Sequence, residues 1–431
     1  MTDVSERKKI INLIRREVVP AIGCTEPMAV ALATARCVEE LGGLPCRIEA
    51  SLSANILKNA MGVGIPGTGM IGLPIAIALG ALIGHSAYGL EVLRDVSPDD
   101  VDHGRQYVDQ KRISITLKDG ITEKLYIEVT AHSDDHRTAT AIIAGGHTNF
   151  VYVGPNPCPE AGVDFTMPGC DGCDGTEPSL SLAKVWEFAM TAPVDEIRFI
   201  LDTRRINKAA AEQSFTGRYG HSVGRTLHCE RQRTVMGDSI FSRILSYTSA
   251  ACDARMAGAC IPVMSNSGSG NQGIAATIPV VIYAEETFAS EEQTIRALIL
   301  SHLTVIYIKQ SLGRLSALCG CVVAATGSSC GITYLMDGGY PQIVATVKNM
   351  IANLTGMICD GAKPSCAMKL TSGVSTAVIS AMMAMEGHEV TSVEGIIDTD
   401  VDRSIRNLTL IGREGMNETD RIVLDIMTHK S

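Results

Sequence analysis

The sequence predicts an α+β fold, in which a mixed N-terminal half with a small antiparallel sheet joins a mainly α-helical C-terminal half. Three observations predict it. Alternating and β-branched segments crowd into residues 111–153, the pattern of half-buried strands. From residue 181 onward the apolar residues recur at helical spacing, in stretches rich in Ala, Gly, Ser and Met. Of the 431 residues, 45% are apolar and 19% charged, which suffices for a large core and does not suit a disordered chain.

Residues 5–19 set Ile10, Leu13, Ile14 and Val18 on one helical face. A second helix runs from about Glu26 to Leu41 and closes at Gly42-Gly43. Residues 46–53, CRIEASLS, alternate as a strand does. They lead into the polar segment 54–60 and a glycine-rich turn, GVGIPGTG, at 62–69. The longest apolar run, MIGLPIAIALGALIG at 70–84, contains Pro74 and falls short of the roughly 20 residues of a membrane span. It predicts a buried helix. KRISITL, EKLYIEVTA, TATAIIAG and NFVYVG then read as strands that join residues 46–53 in one sheet. The expected division is residues 1–153, mixed α/β; 154–180, a Cys/Gly/Pro-rich loop; and 181–431, a helical domain, with the N-terminal helices packing back onto the helical half.

The net charge of −10 argues against a nucleic-acid partner, which favours a basic face. The polar start MTDVSERKKI has no apolar stretch of the signal-peptide kind behind it. A cytoplasmic location without a membrane partner is the expectation. Fourteen cysteines in a reducing compartment point to metal or catalysis more than to disulfides. Cys37, Cys46, Cys229, Cys252 and Cys260 have no neighbour at metal spacing and read as small buried hydrophobes. Cys319 in RLSALCG, and Cys359 and Cys366 in GMICDGAKPSCAMK, stand among glycine and proline, where backbone can fold around a bulky ligand. Their spacing matches neither zinc pairs nor ferredoxin runs, so spacing alone names no metal.

The chain resembles the L-cysteine desulfidases, relatives of the iron–sulfur L-serine dehydratases. The segments that carry the likeness are IGCTEP at 22–27, SANILKNAMGVGIPGTGMIGLP at 53–74, GGHTN at 145–149, DARMAGA at 253–259, MSNSGSGNQGI at 264–274, RLSALCG at 314–320 and GMICDGAKPSCAMK at 356–369. The resemblance implies a [4Fe-4S] cluster held by Cys319, Cys359 and Cys366 with one iron left open, and Cys24 as catalytic base or nucleophile. Cys321 and Cys330 lie close by in sequence; both read as packing residues, with a shift of register between Cys319 and Cys321 left open. Cys158, Cys170 and Cys173, in PCPEAGVDFTMPGCDGCDG, depart from the family pattern. The CDGC there is a redox pair, half a metal site or an ordinary loop.

The implied reaction is β-elimination: L-cysteine and water give sulfide, ammonia and pyruvate. An open iron is a Lewis acid for the leaving sulfur, and soft iron–sulfur centres favour such a ligand. Cys24 stands at an expected helix start, where N–H groups and the dipole lower a thiol's pKa. For the substrate's carboxylate and ammonium, the sequence offers Asn55, Lys58 and Asn59, His147 in GGHTN, and Ser265, Asn266 and Ser267 in a segment fit for an anion-binding nest. Each has a bland counterpart: a solvated helix face, a satisfied histidine, a polar turn. Arg255 and Asp253 read as partners of each other. Rival readings are an L-serine dehydratase with the same cluster, a pyridoxal-phosphate lyase using Lys58 or Lys369, and a non-catalytic metal-binding sensor. An oxygen-sensitive cluster would be better shielded at a subunit or domain interface, and a homodimer is one such arrangement.

Overall fold

The structure, a computed structural model, describes residues 4–121, 123–155, 178–313 and 316–429. Cys158, Cys170 and Cys173 lie outside the described residues.

The N-terminal half contains helices α1 (Val4–Glu17), α2 (Thr25–Leu41), α3 (Ala54–Ala60), α4 (Leu73–Leu82) and α5 (Pro98–Asp109), with strands β1 (Pro20–Ala21), β2 (Arg47–Leu52), β3 (Ile113–Leu117), β4 (Tyr126–His132), β5 (Thr138–Ala144) and β6 (Phe150–Pro155). Local chemistry sets several ends. Gly42 stops α2 in the left-handed region, its N–H on the Val38 carbonyl at 3.0 Å. Ser97 and Asp100 form a capping box at the start of α5.

The fold is α+β, as expected. The five-stranded sheet has the order β3-β2-β4-β5-β6. Its β2-β4-β5-β6 ladder is antiparallel, and β3 adds to the β2 edge in parallel, Ile48 opposite Ile113. Helix α5 lies between β2 and β3 in sequence, the crossover that parallel pairing requires. Helix α2 lies across the sheet, and the Cys37 thiol donates to the Ala139 and Val129 carbonyls at 3.1 and 3.3 Å. Residues 73–82 form a buried helix, as the apolar run predicts.

The C-terminal half is helical. Its elements are α6 (Leu182–Thr191), α7 (Val194–Ile197), α8 (Leu201–Thr216), α9 (Val223–His228), α10 (Arg233–Met236), α11 (Ile240–Met256), strand β7 (Val263–Met264), α12 (Gly270–Glu286), α13 (Glu291–Leu312), α14 (Gly320–Leu335), α15 (Tyr340–Leu354), α16 (Cys366–Met385), α17 (Val401–Leu410) and α18 (Asn417–Thr428). Helices α12, α13 and α14 are buried almost throughout. Small residues, such as Gly327 against the Ser301 carbonyl, let them approach closely. Among the described residues one helix, α16, is long and apolar enough to cross a membrane by length and composition; 56% of that stretch is buried inside the fold.

Two main apolar cores divide the chain. One holds the sheet with α2, α4 and the inner face of α3, and takes in Leu424 of α18. The other gathers the C-terminal helices together with Ile10, Leu13 and Ile14 of α1, Cys24 and Val63. The chain therefore crosses between cores at both ends. Strand β1 pairs antiparallel with β7, Pro20 opposite Met264. That short ladder holds Cys24 against the helical half.

Candidate active site

Four helices begin at one recess between the two cores. Cys24 is the N-cap of α2, Ser269 the N-cap of α12, Cys319 the N-cap of α14, and Cys366 the first residue of α16. All four residues line the recess. Each helix start presents N–H groups without intrahelical acceptors and a partial positive charge. Glu26, Asn59, Arg255, Asn271, Gln272, Lys309, Cys321 and Cys359 line it as well.

The sequence-predicted thiols come together here. The segments bearing Cys319 and Cys359 run side by side: the Cys319 N–H donates to the Met357 carbonyl at 3.0 Å, and the Cys359 N–H to the Ala317 carbonyl at 2.7 Å. A turn through Gly361 then carries the chain to Cys366, whose thiol donates to the Gly361 carbonyl at 3.7 Å. Gly361 has φ +89°, and a Cβ there would stand 2.2 Å from the Lys58 carbonyl oxygen. Only glycine fits that turn.

The three thiols differ in acidity. Hydrogen bonding from the Cys321 thiol and N–H brings Cys319 down to about 7, with help from Lys369. Burial, and then the charge of Cys319, pushes Cys359 up, against the pull of Lys58 and Lys369. Burial pushes Cys366 up to about 11, with Cys359 and Cys319 adding to the rise. The groups thus interact electrostatically, each thiolate opposing ionisation of its neighbours while Lys58 and Lys369 favour it.

Among the described residues no three His, Cys, Asp or Glu side chains gather as a single metal ion would need. A zinc ion draws its thiolates to about 2.3 Å from one point. An iron–sulfur cluster takes each thiolate on a separate iron, so its ligands stand further apart. The recess that Cys319, Cys359 and Cys366 line with Cys24 and Cys321, beside cationic side chains and helix starts, suits the second kind of group by its donor chemistry. Cys321 also lines it, but its thiol is turned to Cys319 and pushed well up by that bond and by burial. Cys330 sits in the core of α14, away from the recess.

Cys24 lines the same recess. Its thiol donates to Glu26 Oε2 at 3.0 Å, which also accepts from Thr25 Oγ1 at 3.1 Å; Glu26 Oε1 accepts from Asn59 Nδ2 at 3.3 Å. The expected lowering of its pKa by the helix start is not found: burial first, and then the Glu26 charge, push the thiol far up, while Arg255 opposes them. The magnitudes decide this. A helix start contributes about 0.3–1 kcal/mol, whereas full burial shifts a group by up to roughly 3–5 pKa units.

The other predicted contacts sort unevenly. Asn59 lines the recess. Lys58 is 1% exposed and sits just behind it, ion-paired with Asp420 of α18 and donating to the Cys359 carbonyl at 3.4 Å. Asn55 donates to the same Asp420 at 3.3 Å. His147 lies in the turn between β5 and β6, away from the recess lining. Ser265, Asn266 and Ser267 are turned to structural contacts: Ser265 donates to the Val19 carbonyl at 2.7 Å, Asn266 to His302, and Ser267 to Asn266. The next residues, Gly268, Ser269, Asn271 and Gln272, face the recess instead.

Two further expectations are corrected. Arg255 does not pair with Asp253; it donates to Asn271 Oδ1 at 3.0 Å, while Asp253 accepts from the Gly224 N–H at 2.9 Å. They are two positions apart on α11, so they leave the helix in different directions. Cys229 and Cys260 are exposed rather than buried. Sequence reading missed Glu26, Gln272 and Lys309 altogether. Glu26 looked like part of a helix start, and nothing marks Gln272 or Lys309 from the outside.

Residues 87–425 match the serine dehydratase alpha chain family, and the chain belongs to that family. It is 69% identical over 426 residues to a UPF0597 protein of Bacteroides fragilis, covering 99% of each chain. It is 54% identical to a UPF0597 protein of Porphyromonas gingivalis, covering 99% of this chain and all of that one. A UPF0597 protein of Shewanella pealeana is 45% identical across 97% of this chain and 98% of its own. The family match includes Arg255, Gln272 and the three thiols but not Cys24, Glu26 or Asn59; the longer relatives span both sets.

Proposed function

We propose that this protein is an iron–sulfur lyase that eliminates the β-substituent of a small α-amino acid, with L-cysteine as substrate and sulfide, ammonia and pyruvate as products. The observation that carries the reading is that Cys24 and Glu26 line one recess together with Cys319, Cys359 and Cys366. Those three thiols would hold a [4Fe-4S] cluster, which when bound supplies an open iron as a Lewis acid for the leaving group.

The protein's own groups do the rest. In β-elimination the Cα–H bond breaks, the electron pair forms the Cα–Cβ double bond, and the Cβ–S bond breaks with its pair on sulfur. The aminoacrylate so formed tautomerises and takes up water to give pyruvate and ammonia. A base must receive the α-proton. The Cys24 thiol keeps its own proton at neutral pH because burial and Glu26 both hold it there. Before Cys24 takes a second proton it must lose the first, and Glu26 Oε2 at 3.0 Å is the acceptor in place. Cys24 and Glu26 thus act as a proton-relaying pair, Asn59 fixing the other carboxylate oxygen.

The likeness of IGCTEP and its companion segments to the desulfidases favours cysteine. The family's description as serine dehydratase alpha chain carries a second reading, L-serine with hydroxide as leaving group. Oxygen-free purification, iron and sulfide analysis, and parallel assays of sulfide and pyruvate from both amino acids test this. About four irons and four acid-labile sulfides per chain are expected. Cys359→Ser should lose iron, whereas Cys24→Ala should keep it and lose turnover by at least a hundredfold. Stoichiometric zinc without iron would end the lyase reading. Equal turnover of serine would move the assignment to a dehydratase.

A further inference from the structure

We propose that Arg255, Gln272 and the first turn of α12 form the subsite that holds the α-carboxylate and α-ammonium of the substrate, so that the recess selects a zwitterionic α-amino acid. The proposal deepens the lyase reading and rests on it.

Arg255 is 3% exposed and makes no ion pair with any described residue. A buried guanidinium without a directly paired counter-charge is costly, and a ligand anion would supply one. Its Nη1 donates to Asn271 Oδ1 at 3.0 Å, while its Nε is sealed from solvent without an acceptor. Gly270 lets it lie against α12: a Cβ there would stand 2.3 Å from Arg255 Nε. The helix is 17 residues long, its N-cap Ser269 makes no side-chain cap bond, and its first N–H groups have no intrahelical acceptors. Guanidinium and helix start therefore address one anion from adjacent positions.

The opposite sign is provided beside it. Gln272 is 5% exposed and lines the recess, and its Oε1 is buried without a donor. Glu26 adds a carboxylate to the same lining. An ammonium supplies the donor that Gln272 lacks. A plain carboxylate would satisfy Arg255 and leave Gln272 unmet; an amine without a carboxylate would do the reverse. A molecule that carries both groups on one carbon answers both.

The test uses the oxygen-free purified protein and calorimetric titration with L-alanine, which has no β-leaving group and so binds without turnover. L-Alaninamide lacks the carboxylate, and propionate lacks the ammonium. Wild type should bind L-alanine at least tenfold more tightly than either. Arg255→Gln should abolish the preference over L-alaninamide, and Gln272→Leu the preference over propionate, both with unchanged iron content. Equal wild-type affinity for L-alanine and L-alaninamide overturns the proposal, and that comparison holds even if the variants do not fold. So does an Arg255→Gln protein that binds L-alanine as wild type does. If the predicted preferences hold but neither cysteine nor serine is turned over, the subsite stands and the lyase reading falls. If cysteine is turned over with a KM indifferent to Arg255, the lyase stands and the subsite falls.

Discussion

At the scale of single residues, the site separates two cysteine environments that sequence cannot tell apart. Cys24 and Cys319 both cap a helix. One is pushed up by burial and a neighbouring carboxylate, and the other is drawn down by donors from Cys321. The difference lies in what each sulfur faces, and that is fixed by residues far off in the chain. Gly361 is where a single atom matters most. Gly361→Ala puts a Cβ into the Lys58 carbonyl and strains a positive φ, so a loss of roughly 2–5 kcal/mol is expected, together with lowered iron content. Chemical denaturation beside iron analysis checks it; an alanine variant of wild-type stability with full iron would refute the tight-turn argument. The thiols and Cys24 entered through the family resemblance, since their spacing alone names no metal; the structure sets all four in the lining of one recess. Arg255 was visible but assigned the wrong partner, since residues two apart in sequence invite pairing while α11 turns them apart. Gln272 was illegible, because an unmet acceptor shows only once its neighbours are placed.

At the scale of elements, the ends of α2, α12, α14 and α16 make the recess, and two other helices brace it. Helix α18 supplies Asp420 to the buried Lys58. Asp420→Ala leaves that ammonium uncompensated and should cost about 3–5 kcal/mol, while the double variant Lys58→Met/Asp420→Leu should recover most of it; a denaturant series on the three proteins decides. Helix α13 supplies His302. Burial lowers its pKa to about 3. Asn266 donates to Nδ1, and Nε2 faces the Thr277 hydroxyl, which itself donates to the Gly273 carbonyl. The ring is therefore neutral with its proton on Nε2. The unfolded chain takes up a proton near pH 6.5 and the folded one does not, so stability falls as pH drops below about 6.5, by roughly 2 kcal/mol at pH 5. Melting curves from pH 7 to 5 should show this slope in wild type and a flatter one in His302→Gln. Equal slopes would rule out His302 as the cause.

At the scale of the whole molecule, the α+β division was legible because period-2 and helical patterns occupy separate stretches of sequence. The parallel placement of β3 was not, since strand pattern carries no partner information. Nor was the path of α18 back to α3, which depends on one apolar residue, Leu424, and one carboxylate, Asp420. That return path has a kinetic implication. The recess draws on Cys24, Asn59, Arg255, Cys319 and Cys359, and its brace on Asp420. Several contacts that tie it together, Thr25 to Gly268, Lys58 to Cys359 and Lys58 to Asp420, join residues hundreds of positions apart, the kind that form late because loop closure must come first. Secondary structure should be complete in refolding well before the thiols are gathered. On the iron–sulfur reading proposed above, iron uptake would then report a late step of folding, and cluster delivery would have to wait for a chain already collapsed around the recess.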